Sequence, residues 1–520
     1  MKKTKLIAAL LAITLLATAC GAGGNNSANT GDNTASAGEG SGKDTLTIAM
    51  QEDATTLDPV LQNSIYAENV VRQIFDTLLV RLPDGTMENR LAESIEQTDD
   101  LTYVVTLKPD VKFSNGEDLT SEDVQFTLER AAESDSYAYI FEKIDPASYD
   151  SSDPLKLTFK LKEADGSFLN ALSHPAVSIV DKKTVEEAGD AFEQNPVGTG
   201  PFVLDNWTKL DSVTLSRNEN YWGEAPAFST MVFRIIPESN NRMIELESGQ
   251  VDLALEIAPN DIAKIEENEN LALHRKLDNS IHFMGMDVTH APFDKIEARE
   301  ALNYALDMQA IVDSVYMGVG KVATGPINPN FDYSISDELQ PFARDTAKAK
   351  ELFAQAGINE GDTLKLYTSQ DQARKDMATI IQSQLSEIGI NVEITSLEWG
   401  AFVDALENHE HNMFIMSWTP SIVDPHYTLF SPYHSKNAGV GPNYMFYANP
   451  EVDALIEKGI QVTGDSERAA VYKEVQELLM KELPTVSALY GEQVIGTQSN
   501  VQGFEIDPSG SNEYYHIQFQ

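Results

Sequence analysis

The chain has 520 residues with 81 Asp plus Glu against 37 Lys plus Arg, a formal net charge of −44. That charge excludes nucleic acid as a partner, since binding a phosphate backbone needs a basic stripe, and the length exceeds what one hydrophobic core fills, so at least two lobes are expected. A single cysteine removes disulfides, Cys-based zinc sites and iron–sulfur clusters together.

In chain order, Lys2, Lys3 and Lys5 precede a short apolar run from Leu6 to Ala17, an export signal too short to span a bilayer comfortably. Leu16-Ala17-Thr18-Ala19-Cys20 resembles a bacterial lipobox, with Ala17 where Leu is commonest. Residues 1–19 are therefore expected to be a lipoprotein signal peptide and Cys20 the lipid-bearing N-terminus; the alternative is an ordinary secretory signal that contains a Cys. From Gly21 to Lys43 there is no Val, Ile, Leu or aromatic residue, so residues 20–43 read as the lipidated Cys and a flexible tether with a reach of roughly 25 Å. Ala37 to Asp44 nearly matches a phosphate loop, but Asp44 stands where a Ser or Thr hydroxyl should hold magnesium, and no buried strand precedes the glycines.

Strand and helix signals alternate from Asp44 to Gln520. Thr45 to Met50 alternates as a strand, and Tyr66, Val70, Ile74 and Leu78 keep one helical face. Phe113-Ser114-Asn115-Gly116 is a turn, and Thr120 with Asp123 forms the capping box of the following helix. Asn195 to Phe202 carries glycines and prolines between apolar positions, a tight turn entering a strand. Further on come strand Thr363 to Tyr367, helix Ala373 to Ile388 stopped by Gly389, strand Asn391 to Leu397, helix Ala401 to Asn408 and strand Asn412 to Trp418. Two successive βαβ crossovers predict a parallel sheet, whose ligands collect beyond the strand C-termini, just after Trp418. A helix from Ser466 to Lys481 with Asp465 as N-cap precedes two strand-like runs, Thr485 to Tyr490 and Gln493 to Thr497.

No zinc-protease helix, nucleophile elbow or EF-hand loop occurs in the sequence. His409-Glu410-His411 is the one tight His pair; strand alternation would turn both rings to one side, where they could share a metal, but a solvated turn is the expectation. No metal or other cofactor is expected.

Several fragments together resemble the extracytoplasmic solute-binding proteins of ABC importers, peptide/nickel family 5. They are Ala54-Thr55-Thr56-Leu57-Asp58-Pro59, Val111 to Gly116, Asn195 to Phe202, Arg217-Asn218 with Tyr221-Trp222, Ala301 to Ala305, and Trp418 followed by Asp424-Pro425. Their order and spacing over more than 400 residues carry the match. The resemblance implies an α/β fold: a two-lobe periplasmic-binding-protein type II (class C) clamshell with an extra subdomain in the first lobe and two hinge crossings. Lobe one is expected at 44–273 plus 493–520 and lobe two at 274–492. It also implies a monomer, not an enzyme, that captures a peptide-like solute by lobe closure and delivers it to a membrane permease. The lipid anchor would hold it on the outer face of a Gram-positive cell membrane, or on the periplasmic face in a Gram-negative cell. A glutathione-like, nickel-complex, opine or sugar solute, a signalling receptor and a secreted hydrolase are the alternatives.

Carried over by motif, the cleft residues implied are Asp53, Thr55, Thr56 and Tyr137 on lobe one and Trp399, Trp418 and Asn443 on lobe two. The resemblance is incomplete where charge matters. Ser421 stands where peptide-binding members carry an Asp for the ligand ammonium, and Thr368 where dipeptide binders place an Arg for the carboxylate, with Arg374 and Asp424 as nearby substitutes; in relatives the Asp-Pro step at Asp424 looks structural, and that reading stands equally beside the ligand contact. A cleft without those partners is expected to bind free dipeptides poorly, because a buried unpaired charge costs several kcal/mol.

Overall fold

The structure, a computed structural model, describes residues 43–520. The signal, Cys20 and nearly all of the tether lie outside the described residues.

An eleven-stranded sheet organises the fold. From one edge its strands run Asn391–Leu397, Thr363–Ser369, Met413–Trp418, Leu271–Met286, Thr485–Gln498, Leu253–Ala254, Thr45–Met50, Thr230–Ile235, Ser212–Arg217 and Phe202–Thr208, with Lys321–Val322 beside Thr485–Gln498. The predicted crossovers are present, since Thr363–Ser369 pairs parallel with both Asn391–Leu397 and Met413–Trp418. Gly389 at φ +84° ends the intervening helix, observed at Gln372–Ser386.

Two long strands, Leu271–Met286 and Thr485–Gln498, connect the halves of the sheet. They pair antiparallel, and their register breaks between Leu277 and Ile281. Opposite the break lies Gly491, where a Cβ would stand 2.5 Å from Asp278 Oδ2 and collide with Ser280. The glycine therefore lets the displaced residues 278–280 fold across the partner strand. Gly491 also interrupts the hydrophobic alternation, so the two expected runs are one continuous strand. The last long helix begins at Asp465 itself, with Gly464 as its N-cap.

Separate cores cover both faces of the sheet on either side of this crossing. Leu46, Ile48, Val70, Ile74, Phe202 and Phe233 pack on one side of the first half, and Met243, Leu246 and Ile265 on the other. The second half is covered by Met284, Leu302, Leu366 and Ile381 on one face and by Phe283, Phe402, Tyr472 and Val475 on the other. A four-stranded sheet of Ala92–Gln97, Thr102–Leu107, Lys156–Lys160 and Asp150–Asp153, with the capped helix Ser121–Ala132, forms the extra subdomain. Its core of Tyr103, Phe159 and Phe168 also takes in Ile422 and Tyr427, from the segment after Trp418. This is the two-lobe α/β clamshell with its added subdomain.

Candidate functional site

The helix Ile65–Ile74 has no fully exposed residue, yet it carries two half-buried charges, Glu68 and Arg72, one turn apart and so on one face. Its adjoining face is bolted to the C-terminal segment. Asn69 donates to Gly510 O at 2.8 Å and its Oδ1 accepts from Tyr514 Oη at 2.6 Å, while Gln73 donates to Asn512 O at 2.9 Å. At the helix end, Gly198 and Gly200 of the predicted turn press on Ile74; a Cβ on Gly200 would lie 2.5 Å from the Ile74 carbonyl carbon. The helix is thus held by the C-terminal segment and by the glycine turn, with its charged face turned inward.

That face borders a cavity of about 490 Å³ whose walls include Glu68, Arg72, Arg81, Tyr137, His174, Asn279, Ser421 and Asp507. The size suits a small-molecule site, for which ~300–1,000 Å³ is usual. Two further cavities, about 550 and 380 Å³, share the Asn279 wall with it, so the three form one cleft at the strand crossing. The segment Thr419 to Val423 lines it, beyond the C-terminal end of Met413–Trp418 as topology predicts.

The charges in the cleft are partly neutralised and partly free to meet a ligand. Burial pushes the Glu68 carboxyl up, and the Arg72 guanidinium and a Gln62 hydrogen bond at 3.3 Å offset part of that. Arg72 lies 3.6 Å from Asp507 and 3.7 Å from Glu513, ion-pair distances without hydrogen-bond contact. Arg81 reaches exposed Asp332 at 3.2 Å. His174 is held neutral by burial, which lowers it to about 3. Its Nδ1 accepts from Ala176 N, which leaves the proton on Nε2. Buried Asn279 presents an Oδ1 with no hydrogen-bond partner among the described residues, and an orphan acceptor of this kind is costly unless a ligand or water donates to it.

The residues expected from sequence divide into those at the cavity and those elsewhere. Tyr137 and Ser421 are in its wall. Tyr137 donates to Gln62 O at 2.8 Å and stands against His174 at 5.0 Å between centroids. Asp53 does not line it: its carboxylate is occupied by Trp207 Nε1 at 2.9 Å and Leu210 N at 2.8 Å. Thr55 is exposed elsewhere, and Thr56 Oγ1 accepts from Asp58 N. Trp418 donates to Tyr427 O at 3.2 Å and packs with the second-lobe core. Trp399 is 54% exposed against Phe402.

Asp424 and Asn443 need correction as ligand contacts. Asp424 caps the helix Pro425–Tyr433 and is completely buried, with both oxygens 2.9 Å from Arg468 Nη2 and a third donor in Asn170 at 3.2 Å. No acceptor is left for an ammonium. Asn443, equally buried, spends its amide on His434 O, Tyr447 O and Tyr447 N. Thr368 is buried within its strand, and Arg374 bonds the hydroxyls of Ser369 at 3.0 Å and Ser417 at 2.8 Å at the sheet's C-terminal edge. The expectation of a cleft without charged partners also changes, since lobe one contributes Glu68, Arg72 and Arg81. The signal was present in the sequence as a charged i, i+4 pair on a helix whose other residues are uncharged.

His409 and His411 do not converge. His409 has left-handed backbone at φ +56°, which breaks the alternation, and His411 is buried with Nε2 3.1 Å from Tyr444 O.

Comparison with known proteins places this geometry. The sequence profile of the bacterial extracellular solute-binding proteins, family 5 Middle, matches residues 86–440. The glutathione-binding protein GsiB of Salmonella typhi is 30% identical over 475 residues, covering 89% of this chain and 92% of that protein. Among solved structures, HbpA2 from Haemophilus parasuis superposes with a TM-score of 0.84 at 24% identity, over 92% of this chain and all of that one. The periplasmic binding protein DppA from Helicobacter pylori, in complex with the peptide STSA, does so with 0.74 at 25% identity, over 91% and 98%.

Proposed function

This chain belongs to the bacterial extracellular solute-binding proteins of family 5, and from that premise we propose that its solute is a short peptide-like zwitterion of glutathione or tripeptide type. The chain serves an ABC importer as its extracytoplasmic substrate-binding component and performs no catalysis. The observation that carries the solute class is the opposed pair Glu68 and Arg72 in the cavity wall. A desolvated ammonium or carboxylate costs several kcal/mol unless paired. Glu68 receives the solute's ammonium, Arg72 and Arg81 its carboxylates, and Asn279 Oδ1 one of its amide N–H groups. Tyr137 supplies an apolar wall, which adds contact area with little entropy loss. The glutathione-binding relative and the peptide-bound neighbour support the same class.

On the second lobe, Arg374 and Trp399 are assigned to the wall that meets the solute on closure; Arg374 carries only hydroxyl partners and Trp399 is exposed. Ligand that touches both lobes draws the open–closed equilibrium toward the closed form by its differential affinity. The delivered solute passes to the membrane permease, with the binding protein working as a monomer. The lipobox-like segment supports anchoring through Cys20 on the outer face of a Gram-positive membrane. Cys20→Ala should then shed ligand-competent protein into the medium and abolish fatty-acid labelling; persistent labelling would refute the anchor.

The solute itself is tested by denaturing purified protein and identifying the released small molecule by mass spectrometry. A peptide or γ-glutamyl peptide with free termini is expected. A sugar or an opine without an ammonium would overturn the reading.

A further inference from the structure

Three nitrogen and oxygen donors meet at the end of the second lobe's sheet remote from the cleft. The strands Leu271–Met286 and Met413–Trp418 pair from Ile281 with Trp418 to Met286 with Met413. Residues just beyond Met286 and just before Met413 therefore lie together, about 17 Å along the strands from Trp418, at ~3.3 Å per residue. Asp287 is the first residue there and is 1% exposed. Its Oδ1 is engaged by Thr289 N at 3.0 Å and Thr289 Oγ1 at 2.6 Å, which fixes the carboxylate plane. Its Oδ2 then faces two imidazoles, 2.7 Å from His409 Nδ1 and 3.0 Å from His290 Nδ1. The donor atoms of the three residues all lie within 4.8 Å of one another.

Both rings are placed by the protein. His409 stacks on Phe446 with centroids 3.6 Å apart, and its left-handed backbone turns the ring toward Asp287 rather than toward His411. His290 meets His409 edge-on at 4.6 Å. We propose that Asp287, His290 and His409 form a binding site for a borderline divalent transition cation of the Zn²⁺ type, separate from the solute cleft. Two imidazoles and one carboxylate match the donor preference of zinc, copper or nickel, whereas calcium and magnesium favour all-oxygen sets. Tetrahedral bonds of ~2.0–2.1 Å would space the donors at about 3.3 Å, so the 2.7 and 3.0 Å separations from Asp287 Oδ2 would widen by roughly 0.6 and 0.3 Å, and exposed His290 has room to rotate. On binding, each neutral imidazole changes tautomer: the Nδ1 proton now directed at Asp287 Oδ2 leaves to solvent, Nε2 takes one up from solvent, and the freed Nδ1 lone pair meets the cation. Water completes the shell on the open side. The bound ion would tie the loop after Met286 to the turn before Met413.

The test titrates the chelator-treated full chain with zinc chloride by calorimetry and repeats it on His290→Ala and His409→Ala. One equivalent is expected on the wild-type protein, at least tenfold weaker binding on each variant, and a zinc-dependent rise in melting temperature seen in the wild type alone. His290 is 61% exposed, so its removal leaves the fold intact. Absence of a zinc equivalent on the wild type would overturn the proposal and leave two Nδ1–H donors hydrogen-bonded to one carboxylate; so would variants that bind zinc as tightly as the wild type.

Discussion

At the scale of single residues, Asn279 separates binding from stability. Asn279 lines all three cavities at the strand crossing, and its buried Oδ1 has no hydrogen-bond partner among the described residues. Replacing it removes an acceptor that the folded chain alone does not satisfy, so Asn279→Ala should change stability by less than ~1 kcal/mol while weakening solute binding about three- to tenfold, the worth of one neutral hydrogen bond. Calorimetry and urea denaturation on the same protein check both halves; a large loss of stability with unchanged affinity would assign Asn279 to the hinge alone. Glu513 behaves oppositely. Burial pushes its carboxyl up, but His516 at 3.8 Å and the Arg90 and Arg72 guanidinium groups overcome it and hold it at about 2. With the folded value below the unfolded one of ~4.3, Glu513 stabilises the protein above that pH. The contribution, up to ~3 kcal/mol at 1.36 per unit, is lost as pH falls toward 2. Glu513→Gln should flatten the stability profile between about pH 4.5 and 2; an unaltered profile would contradict this.

At the scale of elements, the helix Ile65–Ile74 positions the charges and the turn Asn195 to Phe202 positions the helix. Gly200→Ala would set a methyl 2.5 Å from the Ile74 carbonyl carbon, backbone against backbone. Overpacking of that kind costs about 1–3 kcal/mol, and displacement of the helix should carry Glu68 and Arg72 with it. Both a lower denaturation midpoint and weaker solute binding are expected; a folded variant with wild-type affinity would show that the turn does not set the site. The same elements show what sequence could reveal. The crossovers from Thr363 to Trp418 were legible because apolar periodicity and Gly389 mark each boundary locally. The strand crossing was not, because Gly491 looks like an ending until its partner residues Asp278 and Ser280 are known. Asp424 could not be assigned from its Asp-Pro motif, since the side chain that consumes it, Arg468, lies far along the chain in another helix. Glu68 and Arg72 were readable as a charged helical pair, but their inward direction depends on the C-terminal segment, which holds the adjoining face and sets Asp507 and Glu513 beside Arg72.

At the scale of the whole molecule, the lobes touch at the strand crossing, where the loop at Arg81 and Pro83 also meets Asp332 and Lys276. They touch again where the subdomain joins the second lobe: Gly166 N donates to Ile460 O at 2.6 Å, Arg468 Nη1 donates to Gly166 O at 3.0 Å and Asn170 reaches Asp424. Separating the subdomain contact would take Asn170 and the Gly166 carbonyl away from the Asp424–Arg468 pair, so closure is expected to pivot about that contact and the strand crossing, with a modest fall in the radius of gyration by solution scattering and no change of mass. The central claim is that Glu68 and Arg72 match the charges of a peptide-like solute, and calorimetry with one tripeptide in free and N-acetylated form on wild type and Glu68→Gln tests it most directly. Acetylation should weaken wild-type binding at least tenfold, as expected for a charge-assisted hydrogen bond worth about 1.5–3 kcal/mol, and should matter little to Glu68→Gln. Equal binding of the two forms by the wild type, or the same loss on both proteins, would contradict the account.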